Sequence, residues 1–168
     1  MKRFLIALTG LAISATAATA QVERGTPVGE WRSWGADNYT TRYSPLDQIN
    51  ASNFEQLEVA WLWRGDNYSP EGPDPLLRST PIYVDGKLYS VAGSRRTVVS
   101  IDPATGETLW TFREPPTKRW EDSMRKNYGK GVAYDIVDGR GRIYVITPGF
   151  FLWALDAETG IPISDFGV

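Results

Sequence analysis

From Arg78 onward, apolar and polar residues alternate with a period of two, which predicts strands rather than helices. "STPIYVDGKLYSVAG" predicts two β-rich runs around Asp85-Gly86, a two-residue hairpin signal whose glycine tolerates positive φ. "TVVSI" predicts a third strand, and "ETLWTF" a fourth after the turn Asp102–Gly106. The order then returns as "GVAYDIV", a turn at Asp138–Gly141, "RIYVIT", a turn at Pro148-Gly149, "FLWAL" and a turn at Asp156–Gly160. "SIDPATGETLW" and "ALDAETGIPIS" are two copies of one phrase, with Asp102 and Asp156 fifty-four residues apart.

An Asp-x-x-Thr-Gly turn has a mechanical role. Its Asp and Thr side chains cap backbone N–H groups locally, and its Gly takes the left-handed position that turns the chain back. Trp110, four residues beyond Gly106, is then placed to lie across a neighbouring unit and bury a large ring. Each unit reads as a four-stranded antiparallel meander of about fifty residues, the size of one propeller blade. The fold class predicted is all-β, with one full blade and most of a second across 78–168. The second unit lacks its closing strand, since Ser164 stands where Trp110 stood. Two blades leave apolar faces and open edges without partners. The chain therefore reads as the front end of a longer ring, completion by other chains being the alternative.

The regular pattern fails before Arg78. Residues 21–77 form an arm rich in aromatic and turn residues, with one short helix and one strand expected. Ser52-x-x-Glu55 predicts a capping box for a helix near Ser52–Gln56, with Phe54 and Leu57 sharing a face. Val59, Trp61 and Trp63 alternate as in a strand. "GDNYSPEGPDP", Gly65 to Pro75, is a loop by composition. Residues 1–20 predict a secretory signal: Lys2 and Arg3, the apolar run Phe4–Ile13, then Ala18-Thr19-Ala20 as a small-x-small site before Gln21. A buried N-terminal helix is the competing reading. No second apolar stretch approaches the length of a membrane span.

Charge and composition narrow the chemistry. The 168 residues hold 18 basic and 20 acidic side chains, and 16 against 20 once residues 1–20 are set aside. That acidic balance argues against nucleic-acid binding. Cysteine and histidine are both absent. A Ser-His-Asp triad, a His-containing zinc site, disulfides and a Cys-x-x-Cys-His haem attachment are excluded within this chain.

The arm and repeats together resemble the pyrroloquinoline-quinone (PQQ) dependent dehydrogenases, eight-bladed quinoproteins that oxidise alcohols or sugars. The residues that carry the likeness run from about Trp31 to Gly167: "WGADNYTTRYSPLDQINASNFEQLEVAW", "STPIYVDGKLYSVAG", "VVSIDPATGETLWTF", "GKGVAYDIVDGRGRIYVITPGFFLWALDAETG" and the closing "DFG". The resemblance implies an oxidoreductase located in the periplasm, free or peripheral to the inner membrane. It implies PQQ and Ca²⁺ as cofactors, an alcohol or sugar as substrate, and a quinone or cytochrome as electron acceptor. The catalytic base and the calcium ligands are expected beyond Val168, so this chain alone is expected to be inactive. Cofactor-free propeller scaffolds of outer-membrane assembly share the signal and the repeat turns, and an inactive truncated fragment is the third reading.

Two residues carry over as cofactor-binding candidates. In "YGKGVAY", Lys130 takes the place where relatives put an arginine that reaches the quinone oxygens. A cation suits PQQ, whose carboxylates and carbonyls gain from charge-assisted hydrogen bonds, although Lys is a point charge without arginine's planar fork. The competing reading is a solvated loop, because "TKRWEDSMRKNYGK" holds five basic and two acidic residues. Arg78 stands where several relatives place a Glu or Gln near the cofactor. It is read as pairing a PQQ carboxylate or as a plain strand cap. The vicinal disulfide that some relatives form upstream of "GVAY" has no counterpart here.

Overall fold

The computed structural model describes residues 26, 29–37, 39–69, 78–124 and 131–167. Its regular structure is almost wholly antiparallel β. Strands β1 (Ile82–Val84), β2 (Lys87–Ala92), β3 (Thr97–Ile101) and β4 (Thr108–Phe112) form one sheet in sequence order. Strands β5 (Ala133–Val137), β6 (Arg140–Ile146) and β7 (Leu152–Asp156) form a second, three-stranded sheet. A single helical turn, α1 (Lys118–Glu121), lies in the connection between them, capped by the Thr117 side chain on the Trp120 N–H. No strand follows β7 among the described residues, only an isolated bridge from Leu155 to Pro162.

The turns form for local reasons. Asp85 and Gly86 both have positive φ, 50° and 72°, which matches a primed hairpin turn and the right-handed twist of its strands. The second hairpin repeats it at Asp138 and Gly139, φ 52° and 74°. Its turn is therefore two residues long, not the four expected over Asp138–Gly141, and β6 begins at Arg140. Gly141 has a packing role instead. A Cβ there would lie 2.8 Å from the Tyr134 hydroxyl and 3.1 Å from the Ala157 Cβ. In the Asp-x-x-Thr-Gly turns, Asp102 Oδ1 accepts from the Ala104 and Thr105 N–H groups at 2.7 and 3.1 Å. Asp156 Oδ1 accepts from Glu158 and Thr159 at 3.1 and 2.9 Å. Asp102→Ala removes both hydrogen bonds at once. It is expected to lower stability by about 1–2 kcal/mol, as loss of a helix N-cap does, read from urea unfolding.

The sheets stack face to face. Ile82, Val84, Tyr89, Val91 and Val98 of the first meet Ile143, Val145, Leu155 and Ala157 of the second in one buried cluster. Trp110 closes it: its indole donates to the Ala157 carbonyl at 3.0 Å, and a Cβ on Gly160 would fall 2.7 Å from its ring carbon Cδ2. The other face of the first sheet (Ala92, Val99, Ile101) is covered by Trp61, Trp63 and Tyr68 of the arm.

The arm differs from expectation in two places. The capping box does not form. Asn53 precedes a short 3-10 turn, Phe54–Gln56, without a side-chain cap bond. The Ser52 hydroxyl turns back to Asn50 Oδ1 at 2.6 Å, and Phe54 and Leu57 are exposed. The strand expected over Val59, Trp61 and Trp63 pairs with no described strand, because no backbone edge lies beside it. Trp61 nonetheless repeats Trp110. Its indole donates to the Pro103 carbonyl at 2.9 Å, and a Cβ on Gly106 would fall 2.7 Å from its Cδ2. Pro103 and Gly106 are to the first repeat turn what Ala157 and Gly160 are to the second. Residues 57–64 thus sit where the outer strand of a preceding blade would sit.

Candidate cofactor site

In an antiparallel meander, alternate turns fall at opposite ends. The hairpins at Asp85 and Asp138 share one end with the Asp102 and Asp156 turns. The other end carries Arg78–Pro81, the Gly93–Arg96 turn, the connection 113–132 and the Thr147–Phe151 turn. Arg78 belongs to that second end.

Arg78 is exposed and lies four residues before β1. Lys130 lies outside the described residues. Its neighbour Gly131 is described, at φ +115°, a conformation that favours glycine. A Cβ on Gly131 would stand 3.2 Å from the Thr80 carbonyl oxygen and 3.4 Å from Ser79 Oγ. The chain after Lys130 therefore runs against the two residues that follow Arg78. Thr80 and Gly131 thus form one closely packed backbone seam between the blades, which leaves no ligand space of its own. Arg78, exposed two residues before Thr80, is the described cation suited to a carboxylate of the PQQ kind. Calcium is a different case: among the described residues no group of three or more His, Cys, Asp or Glu could hold a metal ion. No role for calcium is derived from this chain.

A groove of about 560 Å³ opens beside Gly131, lined by Trp34, Arg96, Val132, Ile146, Phe150 and Leu152 among others. Part of its wall, Ile146 and Leu152, is the exposed outer face of the second sheet. A further blade would cover that face, so the groove is as much an inter-blade recess as a ligand site. Trp34 arrives from the arm, which extends the first sheet: Trp31 exchanges both backbone hydrogen bonds with Tyr83 at 2.7 and 2.9 Å. Glu30 fixes that contact by accepting the Asp85 N–H at 3.1 Å and by pairing with Arg32. Burial works to raise the Glu30 carboxyl, but the Arg32 guanidinium and the Asp85 N–H together hold it below its ordinary value.

Sequence reasoning missed two charged residues here. Arg96 and Glu114 are buried, 7% and 5% exposed, and are the two buried charged side chains among the described residues. Burial lowers the Arg96 guanidinium, while the nearby Glu114 carboxylate opposes that shift. Arg96 donates from Nη1 to the Ile146 carbonyl at 3.2 Å, and Glu114 Oε2 accepts the Gly149 N–H at 3.0 Å. No periodicity or motif marks either residue. Their signal is positional only, each lying just outside a strand at the loop end.

A four-stranded and a three-stranded antiparallel meander, stacked and joined by tryptophan docking, define a β-propeller protein. The chain belongs to the PQQ family described as "Glucose/ethanol/alcohol dehydrogenase, beta-propeller domain", whose model matches residues 31–168. It is 34% identical to the dehydrogenase subunit of an alcohol dehydrogenase (quinone) from Gluconobacter oxydans, over 95% of this chain and 21% of that protein. It is also 34% identical to a 1-butanol dehydrogenase (cytochrome c) from Thauera butanivorans, again over 95% of this chain and 21% of the relative. The solved quinohemoprotein alcohol dehydrogenase from Comamonas testosteroni matches at TM-score 0.60 and 33% identity, over 80% of this chain and 18% of that one. The quinohemoprotein alcohol dehydrogenase ADHIIG from Pseudomonas putida matches at TM-score 0.63 and 31% identity over the same shares. The chain thus spans about a fifth of the length of these curated relatives.

Proposed function

We propose that this chain is the N-terminal part of a periplasmic PQQ-dependent dehydrogenase that oxidises an alcohol or a sugar and passes electrons to a quinone or a cytochrome. The observation that carries the reading is the match to the PQQ dehydrogenase propeller family across residues 31–168. The names of the relatives support an alcohol as substrate and a quinone or cytochrome c as acceptor. The predicted leader over 1–20, which lies outside the described residues, supports the periplasm.

When bound, PQQ supplies the acceptor for the hydride that leaves the hydroxyl-bearing carbon. This chain's part is binding and orientation. Arg78 and Lys130 offer charge-assisted hydrogen bonds to carboxylate and carbonyl oxygens, which strengthen as neighbouring blades exclude water. The catalytic base and the metal ligands belong to later blades.

The full-length apoprotein, titrated with PQQ in the presence of Ca²⁺, is expected to bind it and then to reduce a dye acceptor when an alcohol is added. A protein that takes up no PQQ would be a scaffold instead. Lys130→Ala removes one charged hydrogen bond, worth about 1.5–3 kcal/mol, and PQQ affinity is expected to fall roughly ten- to a hundredfold. Arg78→Ala is expected to do less, because Arg78 is exposed and its charge is screened. Wild-type affinity in the Lys130 variant would reduce that residue to a surface charge.

A further inference from the structure

We propose that Glu114, together with Arg96, is a positioning residue for the cofactor end of the blades. The pair sets the turn Thr147–Phe151 of the second sheet, against which the β4–β5 connection packs through Arg119 on Phe151. The inference rests on the PQQ reading above and extends it to residues that the family likeness does not single out.

Both residues come from the first sheet, and both act on one turn of the second. Arg96, in the β2–β3 turn, holds its start through the Ile146 carbonyl. Glu114, two residues beyond β4, holds its middle through the Gly149 N–H. The turn needs holding. Phe150 sits at φ 59°, an unfavourable conformation for a bulky side chain, and persists only where its surroundings over-determine it. Inside the turn, the Phe150 N–H donates to the Thr147 carbonyl at 2.9 Å and the Thr147 N–H to the Phe151 carbonyl at 3.0 Å. The β4–β5 connection is stacked onto the same framework. Arg95 lies 4.3 Å over the Trp120 ring, and Arg119 lies 4.8 Å over the Phe151 ring.

The plain alternative is that a buried Glu and Arg simply fasten two blades together. Two observations weigh against it. An apolar pair would join two sheets as well or better, because burying charge carries a desolvation penalty that an aliphatic side chain avoids. The opposite end of the same sheets is in fact joined without buried charge, by Trp110 and Tyr89 on the Ala157 carbonyl and an exposed Lys87–Glu158 pair. The expensive groups are spent only at the end where Gly131 meets Thr80. Glu114 also accepts from a turn amide, where it fixes backbone direction, rather than from a sheet.

The test compares variants of the full-length protein that lose similar stability at different places. Val98→Ala opens a cavity in the fully buried sheet interface and touches no loop. Glu114→Ala frees the Gly149 amide. Thermal unfolding and equilibrium PQQ titration are read on both. Glu114→Ala is expected to weaken PQQ binding about tenfold, the weight of one charged hydrogen bond, while Val98→Ala changes it less than twofold at a comparable fall in Tm. Glu114→Gln, whose amide oxygen still accepts from Gly149, is expected to recover most of the affinity. If Glu114→Ala does not fold, Glu114→Met, which keeps the volume but accepts nothing from Gly149, is the readable variant, with the same loss of about tenfold expected. Equal effects of Val98→Ala and of Glu114→Ala or Glu114→Met on PQQ binding, or none from the latter two, would overturn the positioning role and leave the function standing. A wild-type protein that binds no PQQ overturns both.

Discussion

Trp61→Ala is expected to destabilise the full-length protein as much as Trp110→Ala, by about 3 kcal/mol each, at the lower end for large aromatic truncations because both rings keep some solvent contact. The equality is the informative part. Trp110 belongs to a hydrogen-bonded strand, whereas Trp61 lies in a segment that pairs with no described strand. Each indole nevertheless donates to the carbonyl at the same place in its repeat turn and covers the glycine three residues on. Trp63 reinforces the docking by donating to Thr108 Oγ1 at 2.9 Å and stacking on Tyr68 at 5.3 Å between ring centroids. Tryptophan→Phe at either position keeps most of the buried area but removes the indole hydrogen bond, and should lower stability by only about 1 kcal/mol. Urea unfolding measures all four variants. A Trp61→Ala protein within half a kilocalorie of wild type, on the ordinary scale of surface changes, would show that the arm does not dock on the first blade.

The same pair shows what a sequence can and cannot reveal. The repeat turns were legible because their chemistry is local: Asp caps, Thr caps and Gly turns the chain within five residues. The hairpin at Asp85-Gly86 was legible for the same reason. Trp61 was read only as part of an alternating run, yet "EVAWLWR" and "ETLWTFR" share Glu, Trp, an aromatic two residues later and Arg in register. That signal stands without a preceding Asp-x-x-Thr-Gly turn, so nothing local marks it as a repeat. The Ser52 capping box fails for a competing local reason, since Asn50 Oδ1 accepts from both the Ser52 N–H and the Ser52 hydroxyl. Gly141 was misplaced into a turn because its need for an absent side chain comes from Tyr134 and Ala157, one across the ladder and one beyond β7. Arg96 and Glu114 were illegible outright. Their burial depends on how one sheet lies on another, which no spacing within either repeat encodes.

Two turn glycines at the same end of the sheets, one in each blade, should separate backbone strain from packing. Gly86→Ala is expected to lower stability by about 1–2 kcal/mol, the ordinary penalty of a Cβ in the left-handed region. Nothing lies within 4 Å of where that Cβ would stand, so strain is the whole effect. Gly160→Ala carries the same penalty at φ +72°, and its Cβ also enters the Trp110 ring. The ring is held by its hydrogen bond to Ala157 and by contact with Tyr89, so it has little freedom to retreat. Displacing it adds the typical overpacking loss of about 1–3 kcal/mol, and the total is expected to be roughly twice that at Gly86. Asparagine decides between the two causes, because it tolerates the left-handed conformation but is larger than alanine. Gly86→Asn should be close to wild type in urea unfolding. Gly160→Asn should be at least as damaging as Gly160→Ala. If asparagine restores both positions alike, the tryptophan is not pressed onto Gly160, and the joint between the blades rests on the aliphatic cluster around Val98 and Leu155 alone.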